Sequence, residues 1–305
     1  MHAVNNCPKN LHMTVTCRWS GLPKLSERVE QKFFILPQRY DTALALLRRT
    51  CRQDPEYWVG QVNSLYFDTP DLDQHQRSDA GEFNKDKIRI RWYGEECDPH
   101  RVDCSEQSDR PVRVWLERKS RFGFASTKQR VCLTVAAHKL AHGALPQGIL
   151  PQATLMQTVA SFGFFTHAPL VPVIAISYWR YRFVEPETGF RISIDSRIRS
   201  SLVMPGLGRG ERALELPGAI VEVKGARFDV PRSLRDIAEI GSSWTRYSKY
   251  SSSIEAHQSR RGSVSRLWPN GMMEAAPGRL CPVRPEAYER HVPVAASLVE
   301  EFETE

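Results

Sequence analysis

Along much of the chain, charged and apolar residues alternate with a period of two. Between 85 and 93, Lys85, Lys87, Arg89 and Arg91 alternate with Ile88, Ile90 and Trp92. This spacing predicts a β-strand with one apolar face and one face made only of cations. An ordinary half-buried strand carries uncharged or mixed groups on its wet side. Same-face neighbours sit roughly 6.8 Å apart, so each pair repels by about 2–3 kcal/mol at an effective dielectric near 20. An anion is needed to relieve that repulsion.

The same period predicts further strands over 28–35, 60–68, 112–121, 126–133, 171–184, 190–200 and 219–225. Glu30 and Lys32 share a face of the first. Glu117, Lys119 and Arg121 oppose Val114 and Leu116; Lys128 and Arg130 share a face of the next strand. Tyr178, Arg180 and Arg182 oppose Trp179, Tyr181 and Phe183. Arg191, Ser193, Asp195, Arg197 and Arg199 oppose Ile192, Ile194 and Ile198, and Glu222 and Lys224 oppose Val221 and Val223. Helical spacing predicts helices over 41–52 (capped by Asp41), 71–78, 135–142, 151–162 and 230–240. Residues 94–111 and 204–217 read as loops, 186–189 as a hairpin turn. Residues 1–25 read as a flexible arm, 26–256 as the folded domain and 257–305 as a mostly disordered tail with a weak helix at 295–303.

Many strands with one ionic face predict an α+β protein built on a closed antiparallel β-barrel. Its charged faces line a wet tunnel and its apolar faces lie under outer helices. The inward carboxylates Glu30, Glu117, Asp195 and Glu222 are outnumbered by cations. They can orient arginines or hold a divalent metal beside phosphates. Arg121, Arg130, Arg182, Arg191 and Lys224 either line the tunnel or form structural ion pairs. A small anion does not need so many cations. Nucleic acid normally adds stacking platforms to a basic track, whereas Phe33, Trp92, Trp179, Tyr181 and Phe183 fall opposite the cations. The pattern therefore favours a phosphate-dense ligand with little base over DNA or RNA.

Totals sharpen this reading only slightly. The chain has 305 residues, 41% of them hydrophobic, and a formal net charge of +7. Seven cysteines without a CxxC pair read as free thiols in a reducing compartment, including Cys97 and Cys104 in a polar loop. No apolar run is long enough to span a membrane and residues 1–20 lack a signal-like apolar stretch, so a cytoplasmic location is expected. His138 and His142 read as a surface pair, Gly206–Gly210 as a connector rather than a nucleotide loop, and Asp68 as a turn former.

Eight short segments in order resemble the polyphosphate polymerase (VTC) domain of the triphosphate tunnel metalloenzymes, related to the CYTH triphosphatases. They begin at Arg28-Val29-Glu30-Gln31-Lys32, Tyr66-Phe67-Asp68-Thr69, Lys87-Ile88-Arg89-Ile90-Arg91 and Leu116-Glu117-Arg118-Lys119. They continue with Tyr178-Trp179-Arg180-Tyr181-Arg182-Phe183, Arg191-Ile192-Ser193-Ile194-Asp195, Glu222-Val223-Lys224 and Tyr247-Ser248-Lys249-Tyr250. The resemblance covers about residues 26–255. It implies a tunnel of about eight strands that binds ATP with Mn²⁺ or Mg²⁺ and passes the γ-phosphoryl group to a growing inorganic polyphosphate chain. By position it implies that Lys32, Arg89, Arg91, Lys119, Arg180 and Lys249 clamp phosphates, that Ser248 is a neighbouring phosphate contact, and that Glu222 holds the metal. Lys87 lies on the same cationic face as a further substrate contact. Glu30 and Glu117 stand between metal shell and arginine orientation. The hydrolases of the superfamily carry Glu-x-Glu-x-Lys on the first strand, whereas here the first position is Arg28. That departure tilts the expectation towards polymerase. The competing readings are a metal-dependent triphosphatase or polyphosphatase on the same fold, and a non-catalytic module that binds polyphosphate or RNA. The resemblance also lacks the SPX domain and membrane helices of the eukaryotic complexes.

Overall fold

The computed structural model describes residues 29–95, 98–100, 109–122, 125–207, 213–225, 230–243 and 247–258. The expected arm at 1–25, nearly all of the expected tail, Arg28, Cys97 and Cys104 lie outside them. The strands are β1 (Val29–Ile35), β2 (Arg52–Gln53), β3 (Val59–Asp68), β4 (Asn84–Tyr93), β5 (Pro111–Phe122), β6 (Ala125–Ala136), β7 (Val171–Val184), β8 (Arg191–Leu202), β9 (Leu214–Gly225) and β10 (Ser242–Ser243). The helices are α1 (Tyr40–Thr50), α2 (Asp73–Asp79), α3 (Gln152–Ser161), α4 (Arg235–Ile240) and α5 (Lys249–Gln258).

The strands form one ten-stranded antiparallel sheet in the order β10-β1-β9-β8-β7-β3-β4-β5-β6, with β2 added on β7. This corrects the expectation of a closed barrel of about eight strands. Among the described residues β6 pairs only with β5, and the far edge of β1 pairs with β10 at Phe33 and Phe34. Alternation along a strand fixes which side chains share a face. It does not fix whether the two outermost edges hydrogen-bond to each other. The sheet is nevertheless strongly curled. β1 and β5 stand six places apart in the order, about 29 Å in a flat sheet. Yet Lys119 on β5 reaches Glu30 on β1 at 3.2 Å.

The convex side carries the expected apolar cover. Leu44 and Leu47 of α1 and Ile237 of α4 pack on Phe33, Ile35, Ile194, Val221 and Val223. Leu155 and Val159 of α3 pack on Ile88, Ile90, Trp92 and Leu116. Each fully buried aliphatic side chain there is worth about 1.5–3 kcal/mol. The helix expected at 135–142 is instead the end of β6 followed by 3-10 turns at Ala137–Leu140 and His142–Gln147. α1 begins one residue earlier than expected, with Arg39 rather than Asp41 at its cap.

Helix α5 does not lie outside. Its Tyr250 and Ile254 pack against Tyr66, Ile174, Ile176, Ile198 and Ile220, a cluster on the concave side. Two irregularities make room for it. The register of β8 shifts between Ser196 and Ile198, where Arg197 takes a left-handed backbone (φ 49°). This bulge swaps the faces beyond it. Ile192 and Ile194 point to the convex core, Ile198 to the concave one, and Arg199 leaves to pair with Glu215 at 3.3 Å. The single charged face expected for Arg191 through Arg199 therefore ends at Asp195. In β9, Gly218 has φ +96°, and a Cβ there would stand 2.3 Å from the Ile35 carbonyl oxygen. Only glycine fits, and β9 consequently begins at Leu214, inside the stretch expected to be a loop.

Candidate functional site

The concave side has an apolar half sealed by α5 and an ionic half into which the N-terminus of α5 opens. Ser248 stands at that N-terminus, where its Oγ accepts the Ser251 N–H at 3.3 Å. Lys249 is the first residue of the helix. Its Nζ donates to Asp195 Oδ2 at 2.6 Å and to Glu222 Oε1 at 3.0 Å, and lies 4.9 Å from the centre of the Tyr178 ring. Arg180 grips the same acids. Its Nε and Nη2 donate to the two Asp195 oxygens at 2.6 and 2.7 Å, and Nη2 also reaches Glu222 Oε2 at 3.1 Å. Lys224 donates to Glu222 Oε2 at 2.9 Å. Strands β7, β8 and β9 supply these groups because Arg180 is paired with Asp195, and Ser193 with Glu222, in the ladder.

Electrostatics follow from these contacts. Burial alone would push the Asp195 carboxyl up, but Arg180 and Lys249 outweigh it and hold it below its usual value. Burial likewise disfavours the Glu222 carboxylate, and Lys224, Lys249 and Arg180 hold its carboxyl well below the usual range. Burial works against the charge on Lys249 too, and Asp195 and Glu222 overcome it.

The opposite flank is built from β3, β4, β5 and β6. Arg89 Nε donates to Glu117 Oε2 at 2.9 Å, and its Nη1 donates to the Tyr66 hydroxyl at 3.1 Å. Lys128 closes on the other Glu117 oxygen. Burial and its neighbours compete at Glu117, and Arg89, Arg91 and Lys128 win, bringing its pKa down to about 2. Arg91 is held by hydroxyls, Ser64 at 3.2 Å and Tyr178 at 3.1 Å.

Between the flanks lies a lysine cluster. Lys119 and Lys32 share Glu30 at 3.2 and 3.6 Å, and Lys32 donates to the Tyr247 carbonyl at 2.8 Å. Burial and the nearby Glu222 push the Glu30 carboxyl up, yet Lys119, Lys32 and Lys224 hold its pKa at about 2. Lys87 donates to Ser248 Oγ and makes no ion pair with a carboxylate among the described residues. Burial, reinforced by Lys32, Lys119, Arg89 and Lys85, drives its pKa well below that of an ordinary lysine.

Of the residues expected from sequence, Lys32, Lys87, Arg89, Arg91, Lys119, Arg180, Lys224, Ser248, Lys249, Glu30, Glu117 and Glu222 converge on this half of the concave side. Arg121 and Arg130 are exposed on β5 and β6, and Arg191 is exposed at the start of β8. Arg182 is half-buried and donates to the Tyr57 carbonyl at 3.0 Å. Sequence reasoning gave no role to Tyr66, Tyr178 or Lys128, although Tyr178 stands two residues from Arg180 and Lys128 two from Arg130. It placed Asp195 among the inward carboxylates that orient arginines or hold a metal, and here Asp195 orients Arg180.

The proposed metal ligands Glu30, Glu117 and Glu222 do not form one set. Among the described residues, no group of three or more acids, histidines or cysteines is arranged to hold a metal ion. Glu30 and Glu222 are close enough to disfavour each other's charge, while Glu117 belongs to the Arg89 flank. Glu30, Glu117 and Glu222 are each already engaged by a cation. The donors fit a divalent ion that arrives on phosphate oxygens and takes one or two protein carboxylates, not an ion caged by protein alone.

A comparison with curated proteins finds no match. Among solved structures, the chain is similar to a "putative adenylate cyclase" from Vibrio parahaemolyticus, with 12% identity over 79% of this chain and 97% of that one and a TM-score of 0.35. A second "putative adenylate cyclase", from Bacillus halodurans, shows 15% identity over 70% and 87%, with a TM-score of 0.38. The Schizosaccharomyces pombe Mediator head module shows 12% identity over 69% and 88%, with a TM-score of 0.30. The VTC domain family model matches residues 27–257, a stretch that contains both acid-bridged flanks, the lysine cluster and Ser248-Lys249. The chain therefore belongs to the VTC domain family.

Proposed function

We propose that the ionic hollow binds a nucleoside triphosphate and inorganic polyphosphate, and that it transfers the γ-phosphoryl group of ATP to the polyphosphate end. The observation that carries this is the lysine cluster beside the α5 N-terminus. Lys87 is half-buried among cations, and among the described residues its hydrogen-bond partner is a hydroxyl. Such a site lacks negative charge, and a helix N-terminus adds to its attraction for phosphate. Membership of the VTC family supports the same ligand class.

The residues suit phosphoryl transfer, which depends on positioning and charge stabilisation. Arg180 is held rigid by Asp195, Arg89 by Glu117 and Tyr66, so their guanidiniums need no reorganisation when charge develops. Lys87, Lys32 and Lys249 serve as point charges. The acceptor is a phosphate oxygen already ionised, so no general base is required. Glu222 and Glu30 would hold Mn²⁺ or Mg²⁺ together with the phosphates, and the ion would supply charge neutralisation. No helix among the described residues is long and apolar enough to cross a membrane.

The test is to incubate pure protein with ATP, Mn²⁺ and a short polyphosphate primer. Long polymer with stoichiometric ADP is expected. Orthophosphate release would assign a hydrolase instead, and tight binding without turnover a binding module. Arg89→Ala and Lys249→Ala should each lower turnover by at least about 100-fold with the fold retained in circular dichroism. Wild-type rates in both would remove the site assignment.

A further inference from the structure

A cavity of about 420 Å³ opens where the β7–β8 hairpin meets the end of β9. Its walls join Arg180, Arg182, Arg191 and Lys224 to the Phe190 ring and to Asp54. Arg180 also belongs to the acid-bridged clamp, so the cavity adjoins the proposed phosphate site. Phosphates explain the cations. They do not explain the other two groups. A polyphosphate strand passing Asp54 would meet a like charge, and Phe190 offers it nothing.

Both groups are fixed in place. Asp54 Oδ1 accepts the N–H groups of Glu56 at 3.1 Å and Tyr57 at 2.9 Å, which leaves its second oxygen to accept from a ligand. The Phe190 ring lies directly against Gly225, where a Cβ would stand 2.1 Å from it. A bare backbone thus sets the ring's position at the cavity wall. The volume falls within the range of small-molecule pockets and accommodates one base and its ribose.

We propose that this cavity seats the nucleoside of the triphosphate, with its base on Phe190 and a hydroxyl or amino group on Asp54. The inference rests on the nucleoside-triphosphate reading of the adjoining site and adds the source of its selectivity. Such a site distinguishes ATP from inorganic tripolyphosphate. The expectation of a ligand with little base then applies to the acceptor, not to the donor.

The test is calorimetric titration of ATP, tripolyphosphate and a polyphosphate of about twenty residues into the full chain and its Phe190→Ala variant, each with Mg²⁺. Phe190→Ala should weaken ATP about tenfold, in line with loss of one stacked base, and change tripolyphosphate by less than about twofold. Gly225→Ala, which must displace the ring, should repeat that selectivity. Photolabelling of the unaltered protein with 8-azido-ATP should mark the hairpin around residues 186–193, which covers the case in which the variants fold poorly. If none of the three ligands binds the unaltered protein, the phosphate site itself falls. If both bind but Phe190→Ala weakens them equally, weakens only the long polyphosphate, or weakens none, and the label lies elsewhere, the nucleoside seat falls while the phosphate site stands.

Discussion

The β7–β9 flank and the lysine cluster adjoin each other in the same hollow, and they handle charge in opposite ways. On the first, Arg180, Lys224 and Lys249 share Asp195 and Glu222 at 2.6–3.1 Å. On the second, among the described residues, Lys32 and Lys119 share Glu30, and Lys87 has a serine hydroxyl. The paired flank is complete without ligand and keeps its cations aimed. The lysine cluster is incomplete without ligand, because crowded, partly buried cations short of counter-charge cost free energy. A rigid clamp beside a charge-deficient cluster is an arrangement in which a phosphate chain supplies what the protein withholds.

The comparison can be broken most severely on the paired side. Asp195→Ala strands Arg180 and Lys249 in a buried site and should destabilise the protein by about 3–5 kcal/mol, read as a lowered denaturant midpoint. The next effect is the response to acid. Glu117 has its folded pKa lowered from 4.5 to about 2. Its contribution is therefore fully present above pH 4.5 and is lost as pH falls towards 2, amounting to about 3 kcal/mol. Thermal melts across that window should show the loss, and Glu117→Gln should flatten it at the cost of lower stability at neutral pH. The smallest effect has the opposite sign. Lys87→Met removes an uncompensated cation and should stabilise the ligand-free protein by about 1 kcal/mol while weakening tripolyphosphate binding. Destabilisation without ligand would mean that Lys87 already has the counter-charge it is here said to lack.

Much of this was legible in the sequence. The alternation of Lys87, Arg89 and Arg91, of Glu117 and Lys119, and of Glu222 and Lys224 placed these residues on one face, because a strand's side-chain period is fixed by its backbone. What failed depended on interactions that no local period encodes. The bulge at Arg197 reversed the faces of β8 beyond it, and a left-handed arginine has no signature in the pattern. Gly218 let β9 start five residues before its predicted beginning, because its role lies in contact with Ile35 across the sheet. Closure was expected from the ionic faces and from the family resemblance, whereas the two edges of the sheet are decided by pairing between distant strands. Helix α5 entered the concave side because Tyr250 and Ile254 have apolar partners on β3, β7, β8 and β9, which only the fold brings together.

The central claim is that the lysine cluster waits for an anion, and proton counting tests it most directly. Tripolyphosphate should be titrated calorimetrically near pH 9 in two buffers of different ionisation enthalpy. An incoming polyanion raises the depressed pKa values of Lys87 and Lys32 towards the ordinary lysine value of about 10.4, so binding should take up protons. Uptake that shrinks in Lys87→Met is the predicted result; tripolyphosphate binding with no proton uptake, or no binding at all, would contradict the account.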